Sequence, residues 1–224
     1  QVLKQLEAFI QPKHIIVLLH NGMGTIEQVK DMLPNNPLVA ATTSYAALKS
    51  DTNTLIETGL GQTHLGWLDS VDLKLKQLIE PVLSALLPPS NWHQDIGLAL
   101  WNKLAINSVI NSLTAIHNVK NGELAESKYN TTISNLCCEV ANVMQALGYT
   151  TNSLELIKHV RKVITATTNN YSSMHQDLKF KRHTEIEFIN GYVTSKAAEL
   201  NIQVPHNQRL LEQIRQLEKI NKPK

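Results

Sequence analysis

The sequence predicts an α/β domain followed by an all-helical one, with the boundary near residue 94. Two observations carry this. Within residues 1–93 a short β-branched run meets a glycine turn, a helix and a second buried-strand run, the order of a βαβ unit in a mainly parallel sheet. From Gln94 onward nearly every apolar pattern has helical spacing. At 224 residues, 42% hydrophobic and 18% charged, the chain is long enough for two modest domains.

In chain order, Val2, Leu3, Leu6, Phe9 and Ile10 space a helix over 2–10 that stops before Pro12. His14 to Leu19 reads as a strand buried on both faces. It runs into His20-Asn21-Gly22-Met23-Gly24. Thr25 and Gln28 then have capping-box spacing, and a helix follows to about Leu33. Leu38 to Ser44 is a second buried strand. Residues 54–58 and 63–67 flank Gly59-Leu60-Gly61-Gln62 as a hairpin would. Leu73 to Leu87 is a helix closed by Pro88 and Pro89, and a short strand lies around Asn91 to His93. Beyond the boundary, a helix around Leu100 to Asn111 comes first. Glu123 to Leu147 follows, with Ile133, Leu136, Val140, Met144 and Leu147 on one face and Gly148 as its stop. Helices near 153–169, 173–200 and 206–220 complete the chain.

Composition excludes several classes of function. The net charge is only +2, without a basic block or a basic stripe interleaved with aromatics, so nothing points to nucleic acid or an anionic membrane surface. The longest apolar run, Ile15 to Leu19, is far short of a membrane span. The two cysteines, Cys137 and Cys138, are adjacent; they are poorly placed to bridge each other, and no zinc-type spacing exists, so no metal site is expected. A reduced, cytoplasmic compartment fits this usage. The chain opens on Gln1 rather than Met, which predicts that it begins inside a longer protein.

The stretch LWNKLAINSVIN carries the strongest chemical signal. On a helix Lys103, Asn107 and Asn111 are four apart, drifting about 40° per step, and form one polar stripe with Thr114 beside it. Almost everything else there is apolar. A solvated face would carry strong helix formers, which Asn is not. The stripe therefore offers amides and an ammonium to an enclosed ligand. A snorkelling lysine beside amides that satisfy buried backbone is the structural alternative, and the pattern alone does not separate the two.

Three other motifs could join it. HNGMG sits where a parallel strand meets a helix, the crevice in which open α/β sheets bind ligands. Gly22 and Gly24 would admit a close ligand and Asn21 would supply a donor and an acceptor; a plain strand-to-helix turn is the alternative. In NVKNGEL, Asn121-Gly122 before Glu123 reads as a turn and helix start. In NYSSMHQDLKFKRHTEIEFING, Ser172 or Ser173 can cap a helix, Ser173 and Gln176 having capping-box spacing. Glu185 and Arg182, three apart, could pair on the surface; alternatively Glu185 faces the crevice and holds a cation such as Lys103.

Together these segments resemble the ketopantoate reductase (2-dehydropantoate 2-reductase) family. The strings that carry the resemblance are LLHNGMGT, LWNKLAINSVINSLTAI, NGEL, and SSMHQD followed by RHTEIEFINGY, in family order and across essentially the whole chain. The resemblance implies a Rossmann-type dinucleotide-binding domain (residues 1–93 its remainder) and a helical domain like that of 6-phosphogluconate dehydrogenase over 94–224, with the active site between them. It implies NADPH-dependent reduction of 2-dehydropantoate to pantoate, on the way to pantothenate and coenzyme A. Lys103 matches the family's general acid. Asn21, with Gly22 beside it, matches the asparagine near nicotinamide and substrate. Asn107, Asn111, Asn121 and Ser173 match substrate-holding positions, with Asn170 a weaker neighbour. Glu185 matches the acidic residue near lysine and cofactor, and Ala47 a backbone contact to cofactor. A homodimer is compatible with it.

The chemistry suits that stripe. An ammonium within reach of the carbonyl oxygen stabilises the charge that builds there and then donates its proton, and burial can lower a lysine's pKa toward neutral pH. Amides orient a carboxylate and hydroxyl without adding charge, and Ser173 at a helix N-terminus would help hold an anion. One departure is large: no G-x-G-x-x-G phosphate loop occurs in these 224 residues, so cofactor preference is not legible. Two alternatives follow, a reductase of another 2-keto acid, and a non-catalytic helical interaction or dimerisation module that has lost its cofactor half.

Overall fold

The computed structural model describes residues 2–49 and 51–221. The chain divides into two compact units: Gln1–His20 with Thr25–Leu100, and Asn21–Gly24 with Trp101–Lys224.

The first unit contains helix α1 (Val2–Leu6) with a 3-10 turn (Glu7–Phe9), strand β1 (Ile16–Leu18), helix α2 (Ile26–Met32), strands β2 (Leu38–Thr43), β3 (Ala46–Lys49), β4 (Leu55–Gly59) and β5 (Thr63–Trp67), helix α3 (Leu73–Leu86) and strand β6 (Ser90–Trp92). Its main sheet runs β1-β2-β5-β6. β1 and β2 are parallel and joined through α2, as a βαβ unit requires. Successive side chains of β2 point to opposite faces, and each face is covered. Leu38 packs with Leu3 of α1, Val29 of α2 and Leu33 just after it, while Val39 and Ala41 pack with Leu65, Leu83 and Trp92 on the α3 side. On that side the Trp67 and Trp92 indoles stack with centroids 5.9 Å apart, donating to Glu80 and Ser84 of α3 at 2.9 and 3.0 Å.

The sheet is mainly parallel, as expected, with one antiparallel pair where β5 meets β2. Three expectations for this unit are corrected. The strands at 55–59 and 63–67 form no hairpin with each other. β4 pairs with β3 in a separate two-stranded sheet, and β5 is taken by β2, since Thr63, Leu65 and Gly66 are buried there and β4 is largely exposed. β1 is half-buried rather than buried on both faces, since within the described residues it is an edge strand. Thr25 makes no capping bond; its hydroxyl is committed to the His20 ring instead.

The second unit is helical. α4 (Gly97–His117) crosses the division at Leu100 and is buried along most of its length. α5 (Asn130–Ala146), α6 (Ser153–Ala166), α7 (Ser173–Lys179), α8 (Asn190–Glu199) and α9 (Pro205–Asn221) follow. α4 meets α7 through Ser112 and Met174, and α8 through Ser112 and Asn190 and through Trp101 and Tyr192. Two expected helices are shorter. The one from Glu123 begins at Asn130, preceded by 3-10 turns at Asn121–Ala125 and Ser127–Tyr129; Asn121 and Gly122 spend their N–H groups on the carbonyls of Asn170 and Thr168. The span 173–200 is broken: Lys181 adopts φ +56° after α7, and a 3-10 turn (Ile186–Phe188) precedes α8. Its helical apolar spacing survives because the turn keeps Ile186 and Ile189 inward.

A buried polar network ties these helices. Ser112 of α4 donates to Asn190 at 2.6 Å; the Asn190 amide donates to the Ser108 carbonyl and to Asn207. The Glu139 carboxylate on α5 accepts the backbone N–H of His206 and Asn207 and the Asn207 amide at 2.8–2.9 Å, capping α9 from a neighbouring helix. Within the described residues no helix is long and apolar enough to cross a membrane.

Candidate active site

All the candidate site residues except Ala47 belong to the second unit. Lys103 is half-buried on α4, one and two turns before Asn107 and Asn111. Among the described residues none of these three side chains is spent on a protein hydrogen bond, and no carboxylate is close enough for an ion pair with Lys103. Thr114 is different. Its buried hydroxyl donates to the Ile110 carbonyl and shares a hydrogen bond with the Ser172 hydroxyl, each 2.7 Å away, so the available stripe has three members.

Burial pushes the Lys103 ammonium below the usual lysine range, and the Glu185 carboxylate opposes that shift. Glu185 itself is pushed above the usual carboxylate range, chiefly by burial and also by Asp177; a hydrogen bond from Asn21 and the Lys103 charge work the other way. Burial thus biases both groups toward their neutral forms, and their mutual attraction resists it. Arg182, the surface partner considered for Glu185, pairs with Asp177 at 2.9 Å instead.

Asn21 reaches Glu185 because its loop belongs to this unit. The Met23 N–H donates to the Phe188 carbonyl at 2.8 Å. Gly22, at φ +80°, lies so close to Phe188 that a Cβ would come within 2.6 Å of its Cβ and its carbonyl oxygen. The close approach foreseen for a ligand at this glycine is therefore made by protein.

The remaining candidates are placed as follows. Ser172, not Ser173, caps α7, accepting the His175 N–H at 3.1 Å; Ser173 is the first helical residue and is exposed. Asn121 is buried and is joined to Asn170, whose carbonyl accepts its backbone N–H at 2.9 Å. Its amide donates to Thr167, while its side-chain oxygen is buried without a protein partner. Ala47 is exposed on β3 in the first unit, opposite Glu57. So Lys103, Asn21 and Glu185 are brought together, Asn107 and Asn111 extend the same helix face, and Asn121 and Asn170 form a separate pair. Sequence reasoning missed Phe188, and Arg215 and Glu218 on α9, which hold the segment bearing Glu185; no local pattern announces such long-range partners. Among the described residues no group of three His, Cys, Asp or Glu side chains is placed to hold a metal ion.

Comparison with known proteins gives this constellation a family. The profile described as "Ketopantoate reductase PanE/ApbA C terminal" matches residues 95–218, and "Ketopantoate reductase PanE/ApbA" matches residues 1–70. The chain belongs to the ketopantoate reductase family. Within that family, the 2-dehydropantoate 2-reductase of Vibrio cholerae is 40% identical over 221 residues, covering 96% of this chain and 74% of that protein. The enzyme of the same name from Yersinia pestis is 41% identical over 209 residues, covering 93% of this chain and 67% of its own. The chain thus spans about two thirds to three quarters of these relatives' length. Among solved structures, the ternary complex of D-mandelate dehydrogenase with NADH and anilino(oxo)acetate superposes with a TM-score of 0.89 over 98% of this chain and 72% of the other; at 22% identity this likeness speaks for the fold.

Proposed function

We propose that this ketopantoate reductase chain carries the substrate-binding and proton-donating residues for the NADPH-dependent reduction of 2-dehydropantoate to pantoate. The observation that carries the reading is a desolvated Lys103 that has no carboxylate within ion-pair distance among the described residues, flanked on one helix face by two amides that make no side-chain hydrogen bond to those residues.

Lys103 is the general acid. Negative charge grows on the keto oxygen during reduction, and an ammonium in a partly dry setting stabilises that charge strongly before yielding its proton from Nζ. Asn107 and Asn111 orient the substrate's carboxylate and hydroxyl, adding donors and acceptors without competing charge. Glu185 keeps Lys103 protonated and in place, and Asn21 in turn orients Glu185. Ser173, Asn170 and Asn121 belong to the outer part of the substrate site in this reading, and Ala47 to the cofactor side.

NADPH, when bound, supplies the hydride. The residues present fit only its nicotinamide end: Asn21 offers an amide to a carboxamide, whereas the Gly22 backbone is already filled by Phe188 and provides no phosphate cradle.

The test is NADPH oxidation that depends on 2-dehydropantoate, measured with the intact protein. Lys103→Ala should lower kcat by about 10²–10⁴-fold, the range for loss of a general acid. Comparable kcat in the variant would refute the assignment. A preference for another 2-keto acid above roughly tenfold in kcat/KM, about 1.4 kcal/mol, would move the substrate elsewhere in the same reaction class.

A further inference from the structure

The segment from Thr184 to Phe188 presents Glu185 to Lys103 and Asn21, and it is gripped from behind by α9. Glu218 accepts the Thr184 backbone N–H at 2.6 Å. Arg215, one turn earlier on the same helix face, binds the Glu187 carboxylate through two bonds, Nε to Oε1 at 2.6 Å and a terminal nitrogen to Oε2 at 2.7 Å. Between these two clamps the Ile186 side chain is fully buried, and the Phe188 carbonyl takes the Met23 N–H of the Asn21 loop. Residues on either side of Glu185 are thus fixed at backbone and side chain, which leaves the Glu185 carboxylate one place to point.

We propose that Arg215 and Glu218 are positioning residues that hold Glu185 against Lys103. Neither makes a bond to Lys103, Asn107 or Asn111. They act through the backbone of Thr184–Phe188. An isolated exposed ion pair contributes little to stability. A bidentate arginine pair whose partner lies two residues from a site carboxylate instead restricts geometry. The charges facing these groups are few: Glu185 faces Lys103, with Asp177 of α7 also felt by Glu185 and itself paired to Arg182, while Arg215 faces Glu187 and Glu212.

The inference rests on the reading of Lys103 and Glu185 given above, and its test does not require turnover. The Lys103 side-chain titration is followed by NMR in protein carrying isotope-labelled lysine, assigned with Lys103→Arg. Arg215→Ala should lower the Lys103 pKa, because Glu185 relaxes away from it. Direct charge removal predicts the opposite sign, since losing a nearby cation favours the ammonium. Arg215→Lys, which keeps the charge but loses the two-pronged grip, should shift the pKa in the same direction by less. Glu218→Ala, which removes the acceptor of the Thr184 N–H, should also lower it. In a Glu185→Gln background the part of each shift that comes from repositioning should vanish. Only the direct charge effect of each substitution should remain, which raises the pKa for Arg215→Ala and lowers it for Glu218→Ala. An unchanged or raised Lys103 pKa in the folded Arg215 variants, or equal shifts with and without the Glu185 carboxylate, would overturn the proposal. If Arg215→Ala does not fold, Arg215→Lys decides by the same criterion. Retained coupling in a protein that fails to reduce 2-dehydropantoate would instead count against the proposed reaction while leaving the positioning role standing.

Discussion

Burial works against the Lys103 ammonium and Glu185 works for it, so the charge state of this lysine is set by a balance that single substitutions can tip. A general acid must be protonated, so kcat should fall as pH rises through the Lys103 pKa, at a pH below the usual 10.5. Glu185→Gln removes the group that raises that pKa. The alkaline limb of the pH–rate profile should therefore move to lower pH, and an unmoved limb would separate Glu185 from Lys103. The same balance has a stability consequence. A lysine whose folded pKa lies below its unfolded value costs the folded state below the folded pKa, and stability is regained as pH rises through the window up to the unfolded value. Lys103→Met should accordingly raise Tm at neutral pH while removing activity, and its advantage over the parent should shrink as pH rises. A lower Tm for the methionine variant would show that the ammonium is not desolvated as argued.

Loops and turns position Asn21 and Glu185, whereas the interior of α4 carries Lys103, Asn107 and Asn111. The Asn21 loop depends on Gly22, whose φ of +80° and contact with Phe188 both exclude a side chain. Gly22→Ala should cost about 1–3 kcal/mol of stability, the range for a strained backbone, read from urea unfolding. It should also disturb Asn21 and hence the Lys103 titration; a neutral substitution would mean the loop can move off Phe188 freely. At the far end of α4, the Ser172 cap and Thr114 hydroxyl tie that helix to the start of α7. The polar stripe is carried by a helix that is buried on its other faces, so its direction is fixed by packing and its side chains remain available.

At the scale of the whole chain, the helical unit holds a buried amide–carboxylate network. Asn190 joins α4 to α9, and Glu139 caps α9 from α5. Glu139→Ala leaves the N–H groups of His206 and Asn207 without their acceptor. Each buried donor left unpaired costs about 1–3 kcal/mol, and Asn207 is fully buried. Destabilisation of that order is expected in denaturant melts, and because α9 carries Arg215 and Glu218, the site should loosen before the unit unfolds. An unchanged midpoint would mean solvent reaches those donors. The first unit relies on apolar layers on both faces of β2 instead.

Much of this was legible in the chain itself. Period-2 and period-3.6 apolar patterns are local, so the βαβ unit, α3, α4, α6 and α9 could be read from spacing, and Lys103, Asn107 and Asn111 share a face by helix geometry alone. Resemblance joined Asn21 and Glu185 to them, residues that no spacing connects. Strand partnership was not local: β4 and β5 have hairpin spacing, yet β2 takes β5, because pairing is decided by which faces become buried. The break in 173–200 was hidden as well, since a 3-10 turn can keep the helical apolar rhythm while reversing the chain. Which serine caps α7 depended on backbone direction, and both candidates have the chemistry. The grip of α9 on the Glu185 segment lay beyond any sequence pattern, because residues some thirty positions apart meet only after the helices pack. The sequence by itself determined which helix carries the polar stripe and what chemistry it offers, and named Glu185 as a candidate. Only the tertiary structure decided that Glu185 is turned toward Lys103 rather than paired with Arg182, and what holds it there, because burial and long-range hydrogen bonds exist only in the folded chain.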